Sequence, residues 1–116
     1  MLLSPENTQL IGQDLDHPEC LCLAPDGSLF AGGEAGQIYH IDVRGGQRLV
    51  GSTGGFILGI ALDGRGRIHA CDARNKGVFL IEPDGHVVLR SAGTKEHPMA
   101  LPNYPAFDPH GNLFVS

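Results

Sequence analysis

Glu19 and Asn103 occupy the same place in two copies of a repeated pattern: each lies eight residues before a turn glycine, Gly27 or Gly111. The matching position before a third such glycine, Gly66, is Leu58. A carboxylate and a carboxamide on either side of an apolar residue suit a hard divalent cation, which takes oxygen ligands. Read from the residues alone, the pair fits exposed loop positions equally well, since Glu and Asn are mostly found at surfaces. Asp72, Arg74 and Asn75 are candidate substrate contacts on a rim after a short strand, and ordinary turn chemistry also explains them. No nucleophile or general acid can be assigned, so the catalytic residues stay unknown.

Other constellations fail on spacing. His17 and Glu19 form an H-x-E pair, but a deaminase zinc site would also need a downstream Pro-Cys-x-x-Cys, which is absent. The six histidines (His17, His40, His69, His86, His97, His110) show no i, i+4 pair of the kind a helical zinc site uses. There is no nucleophile elbow and no phosphate loop, and no helical pattern follows the glycine-rich run from Gly51 to Gly55. Cys20, Cys22 and Cys71 are an odd number, which argues against a disulfide framework. Cys20 and Cys22, two apart on one strand, read as small buried residues in preference to metal ligands.

These residues are positioned by a repeat. Glu19–Ala31, Leu58–Ala70 and Asn103–Val115 align on Gly27, Gly66 and Gly111, with spacings of 39 and 45 residues. A period of 40–50 residues is that of a four-stranded propeller blade (~40–45 for one common repeat class, ~50 for another). In each unit an apolar run meets a glycine turn and a second run follows, which is a hairpin pattern. In the first two units a third strand comes at 37–41 or 78–81, and a fourth at 48–50 or 87–89. No helix is expected; the stretch from Glu6 to Ile11 reads as extended. The runs are continuous and not strictly alternating, so the strands should be covered on both faces, as blades packed around an axis would provide. An open sandwich also accepts short strands at even spacing; the recurring Asp/Pro-x-Gly offset favours the propeller.

The expected architecture is all-β, with blades of four antiparallel strands and about two and a half of six blades present. Residues 17–53 form the first blade, 54–94 the second and 95–116 half of the third, with 8–16 as an outer strand of the closing blade. Open lateral faces and unpaired edges should then favour self-association.

Composition narrows the partners. The 116 residues hold 17 Gly and 8 Pro, many turns between short elements, and 41% apolar residues, enough for a core. Eight scattered Lys and Arg and a net charge of −5 argue against a nucleic-acid surface and against anionic membranes. No apolar run approaches the ~20 residues of a spanning helix, and the opening Met1–Glu6 has no basic, apolar leader pattern. A cytoplasmic location is the simplest expectation.

With the repeat in place, two segments carry a resemblance. His17-Pro18-Glu19 leading into Cys20–Gly27, and Leu101-Pro102-Asn103 leading into Tyr104–Asn112, resemble the senescence-marker-protein/gluconolactonase family, six-bladed propellers related to strictosidine synthase and including regucalcin. Gly59–Ala73 suits the same family and many other propellers. The resemblance implies a metal-dependent lactone or ester hydrolase acting on a small molecule, of which this chain would be the N-terminal portion. It implies one divalent metal in the central channel, calcium foremost, with zinc, magnesium or manganese as alternatives. Glu19 would match that family's Glu ligand and Asn103 its first Asn, while a second Asn and an Asp would come from later blades. The family's substrate-contacting Arg corresponds to Leu101, which implies a more apolar substrate than a sugar-acid lactone. The alternative is a non-catalytic propeller that holds a ligand or protein on its rim loops, since the fold hosts both.

Overall fold

The computed structural model describes residues 3–116. Met1 and Leu2, which begin the segment scanned above for a leader pattern, lie outside the described residues. Strands β1 (Leu21–Leu23), β2 (Leu29–Gly32), β3 (Gln37–Ile41) and β4 (Gln47–Ser52) form one sheet in sequence order. Strands β5 (Ile57–Leu62), β6 (Ile68–Asp72), β7 (Gly77–Ile81) and β8 (Val87–Ser91) form a second, again in order. A hairpin of β9 (Pro105–Phe107) and β10 (Leu113–Val115) begins a third unit. Every pairing is antiparallel. Among the described residues the only helical piece is a single 3-10 turn, Pro5–Asn7, which takes up part of the stretch expected to be extended.

The hairpin turns show why the repeat has the residues it has. Gly27, Gly66 and Gly111 have φ of 86, 74 and 85°, a left-handed conformation that costs glycine nothing. Each donates its N–H to the carbonyl three residues earlier: Ala24, Asp63 or Asp108. A turn aspartate fixes the rest. Asp63 Oδ1 accepts from Arg65 N and Arg67 N, and Asp108 Oδ1 accepts from His110 N and Asn112 N. In the first unit Asp26 serves instead, accepting from the backbone and hydroxyl of Ser28. Those bonds are an Asx turn, so the Asp offset read in the sequence is backbone chemistry.

The three units stack side by side in an elongated body of 51 × 32 × 31 Å. The core lies between the sheets. Cys20, Cys22, Phe30, Ile38 and Val50 of the first sheet meet Ile57, Ile60, Leu62, Ile68, Ala70 and Ile81 of the second. Each large aliphatic side chain fully buried there is worth about 1.5–3 kcal/mol over its exposed state. Every residue of β6 is buried because the second sheet has a neighbour on both faces. The first sheet has one neighbour, so Leu21 and Leu23 of β1 face outward. Double coverage therefore holds for the second unit only.

Residues 8–16 form no strand in the described sheets. A strand needs a sheet edge to bond, and the sheet this segment would complete is not among the described strands. The segment instead runs beside the first sheet. Gln13 N donates to Gln47 Oε1 at 3.0 Å, and Gln47 Nε2 donates to Gln13 O at 2.6 Å.

Candidate metal centre

Glu19 and Asn103 each lie two residues before the first strand of their unit, β1 or β9, and Leu58 is the second residue of β5. These three first strands are adjacent, β1 against β5 and β5 against β9. Two glycines allow that approach. A Cβ on Gly32 would collide with Ile57, so the first and second sheets close directly there. A Cβ on Gly59 would lie 2.5 Å from Asn103 O, 2.7 Å from Pro105 Cδ and 2.9 Å from Tyr104 Cα. The backbone leading into β9 is thus pressed onto β5 beside Leu58. Asn103 is held from its other side as well, because its N–H donates to Ser116 O at 2.7 Å and Ser116 N donates to Tyr104 O.

Glu19 and Asn103 are both exposed, Leu58 is half-buried, and neither polar side chain makes a hydrogen bond to a described residue. Their oxygens are uncommitted, and a carboxylate with a carboxamide is a donor set that fits a hard cation. Two donors are fewer than the 6–8 that calcium takes.

The proposed substrate contacts separate. Asp72 is completely buried, and its Oδ1 accepts from Phe56 N, Arg74 N and Asn75 N. Asn75 Nδ2 donates to Asp72 Oδ2 and to Thr53 O. Asp72 therefore cannot meet a substrate on a rim; it ties the loop after β6 to the loop before β5. Asn75 spends its amide on the same knot. Arg74 and Asn75 are both exposed, but of the three only Arg74 makes no side-chain hydrogen bond to a described residue.

Two clusters escaped sequence reasoning. Asp16, His17 and Glu34 bring three ligand atoms within 4.8 Å of one another just before β1. His17 Nδ1 is 3.0 Å from Glu34 Oε2, while Asp16 Oδ2 accepts from Gln37 Nε2 and Ala35 N. The hydrogen bond from Gln37, more than the adjacent His17, holds the Asp16 carboxyl below its usual range. These atoms are already spent on each other, so the cluster reads as an ion-pair network. Its members are separated by the whole β1–β2 hairpin, which leaves no local spacing to find.

The second cluster sits at the turn end of β5 and β6. Asp63 Oδ2 accepts from Arg67 Nε at 2.8 Å and lies 3.0 Å from His69 Nε2. His69 is buried edge-on against Phe107, and its Nδ1 has no hydrogen-bond partner. Burial would push the Asp63 carboxyl up, but His69, the Arg67 and Arg65 backbone and the Arg67 guanidinium outweigh it and hold it well below the carboxylate range. The six-residue spacing of Asp63 and His69 across a hairpin turn is the one signal that could have found the pair.

The stacked sheets and aligned first strands define the class: the chain is part of a β-propeller, with two four-stranded blades and the first two strands of another. No protein-family model matches it. No curated protein sequence matches it either. Similar solved structures include a catalytically inactive variant of virginiamycin B lyase from Staphylococcus aureus with quinupristin, at 18% identity and a TM-score of 0.72. They also include a gluconolactonase from Xanthomonas campestris, at 16% identity and a TM-score of 0.70. These matches cover 85% and 78% of this chain but only 34% and 31% of the respective neighbours. Both neighbours are six-bladed propellers, and the likeness shows the fold.

Proposed function

We propose that this chain is the N-terminal share of a metal-dependent lactonase-like hydrolase. The observation that carries the reading is the register of Glu19 and Asn103: equivalent positions before first strands that flank β5, with oxygens unspent on the protein. The gluconolactonase among the similar structures supports it at the level of fold. Glu19 Oε and Asn103 Oδ1 would hold the cation, calcium foremost, with zinc, magnesium or manganese as alternatives. Such an ion polarises a lactone or ester carbonyl and lowers the pKa of bound water. Glu19 supplies the negative charge that retains it, and half-buried Leu58 keeps an apolar floor between the donors. Exposed Leu101 favours an apolar substrate, and Arg74 is left free to orient a negative group on it. Two donors bind calcium weakly, so this chain by itself is expected to be inactive.

A scaffold that binds a ligand or protein without catalysis is the second reading. The locking of Asp72 and Asn75 into the loop knot favours it, because it removes two polar groups from the rim.

Calorimetric titration with calcium separates the two. The hydrolase reading expects weak binding, with Kd about 1 mM or above, and loss of the heat in Glu19→Gln and Asn103→Ala. Identical heats in all three proteins would remove the metal centre and leave the scaffold.

A further inference from the structure

The repeat supplies an internal comparison for the cluster of Asp63, Arg67 and His69. Strand register and turn position make these residues the equivalents of Ala24, Ser28 and Phe30 in the first blade. The two sets line corresponding clefts at the turn end of the blades. One, of about 340 Å³, lies between the first and second blades; the other, of about 290 Å³, lies between the second blade and the third unit. The neighbouring unit contributes Leu62 and Gly66 to the first cleft and, in the same register, Phe107 and Gly111 to the second. The first cleft is present although the second blade has all four strands, so a cleft here is a feature of the repeat. At the three equivalent positions the lining changes from small or apolar to charged.

Packing does not require that change, since Phe30 fills its place with no polar atom to satisfy. The change also carries a cost. The His69 side chain is 5% exposed, and its Nδ1 has no partner among the described residues, which is as unfavourable as a lost hydrogen bond. Nε2 lies 3.0 Å from the ionised Asp63, so the neutral imidazole carries its proton there and presents Nδ1 as a bare acceptor. Arg67 gives only Nε to Asp63, which leaves its Nη hydrogens uncommitted to described residues. Neither carboxylate in the cleft is left for a metal ion. Asp63 is committed to Arg65 N, Arg67 N, Arg67 Nε and His69, and Asp108 to His110 N, Asn112 N and Asn112 Nδ2.

We propose that this cleft binds a small hydroxycarboxylate, its hydroxyl donating to His69 Nδ1 and its carboxylate held by the Arg67 guanidinium. A guanidinium suits a carboxylate because its N–H donors match the two oxygens. The site goes beyond the hydrolase reading and does not rest on it: the cleft lies past the far end of β9 from Asn103, and no atom of the metal centre takes part.

Titration of the 116-residue chain with L-lactate, followed by calorimetry and by the imidazole nitrogen resonances, gives the test. The His69 Nδ1 signal, identified by its loss in His69→Phe, is expected to shift with a Kd of about 1–10 mM. Propionate lacks only the hydroxyl and propane-1,2-diol only the carboxylate, and each should bind at least about tenfold more weakly. His69→Phe and Arg67→Ser install the residues of the first cleft, and circular dichroism checks that both keep their β signal. Each should weaken lactate binding at least about tenfold; Arg67→Lys replaces Arg67→Ser if that one does not fold. Calcium heats should be the same in these variants as in the wild type, which keeps a failure of this cleft distinct from a failure of the metal centre. No shift of His69 Nδ1 up to about 200 mM lactate overturns the proposal and leaves a buried water as the partner of that nitrogen. Equal binding of propionate or propane-1,2-diol, or undiminished lactate heats in His69→Phe, overturns it too.

Discussion

Asp63 joins the turn of the second blade to the contact with the third unit, through Arg67 on one side and buried His69 on the other. Its folded pKa lies below the unfolded value of about 3.9. A group shifted in that direction contributes stability that is fully present above the unfolded value and is lost as pH falls through the folded one. Asp63→Asn should therefore cost about 2 kcal/mol at pH 7, read from urea midpoints, and the gap should narrow below about pH 4. A gap that stays constant from pH 7 to pH 3 would show that the charge is not what matters. The thiols give a second check at this scale. Burial pushes Cys20 up to about 11 and Cys71 up to about 12, and raises the half-buried Cys22 as well. At pH 8 the folded chain should react slowly with a thiol reagent, Cys22 first, and release all three equivalents at once in denaturant. Two fast equivalents under native conditions would contradict the burial.

The same repeat position has different energetic weight in different blades, because coverage decides the cost. Ile60 and Leu21 are equivalent in register, yet one is buried and the other exposed. Ile60→Ala should cost about 2–5 kcal/mol through lost burial and a residual cavity. Leu21→Ala should stay within about 0.5 kcal/mol in dilute monomer, as surface changes do. Comparable losses at the two sites would mean that the first blade is covered in solution even when dilute. Gly59 reports on the other contact of the second blade. Gly59→Ala forces backbone against backbone at Asn103–Pro105 and should cost about 1–3 kcal/mol. It should also weaken any calcium binding through displacement of Asn103, whereas Gly64→Ala, where an added Cβ meets nothing, should do neither. The strands and their turns were legible beforehand, because short apolar runs and an Asx turn ending in glycine are local features. The role of Asp72 was not. Its carboxylate is committed by four hydrogen bonds that include Phe56 N, 16 residues away, and no spacing rule announces such a partner.

Stacked units that touch only their neighbours have stabilities close to a sum of unit and interface contributions. The second blade has two interfaces, and the first blade and the third unit one each. Amides of β6 and β7 should accordingly exchange most slowly with solvent, and those of β1 and β10 at least about tenfold faster. Uniform protection across all ten strands would argue that the chain unfolds only as a whole. The leading segment obeys the same logic. Residues 8–16 run beside β4 through paired bonds between Gln13 and Gln47.

The sequence by itself determined the repeat, the strand order, the turn positions and the shared register of Glu19, Leu58 and Asn103. All of these follow from period and from interactions within a few residues. Only the tertiary structure decided which apolar faces pack together, that Asp72 is a buried tie, that Asp63 and His69 meet, and that residues 8–16 run beside the first sheet. Those outcomes depend on groups far apart in the chain arriving at one place, and pairwise distance in space is not written in residue spacing.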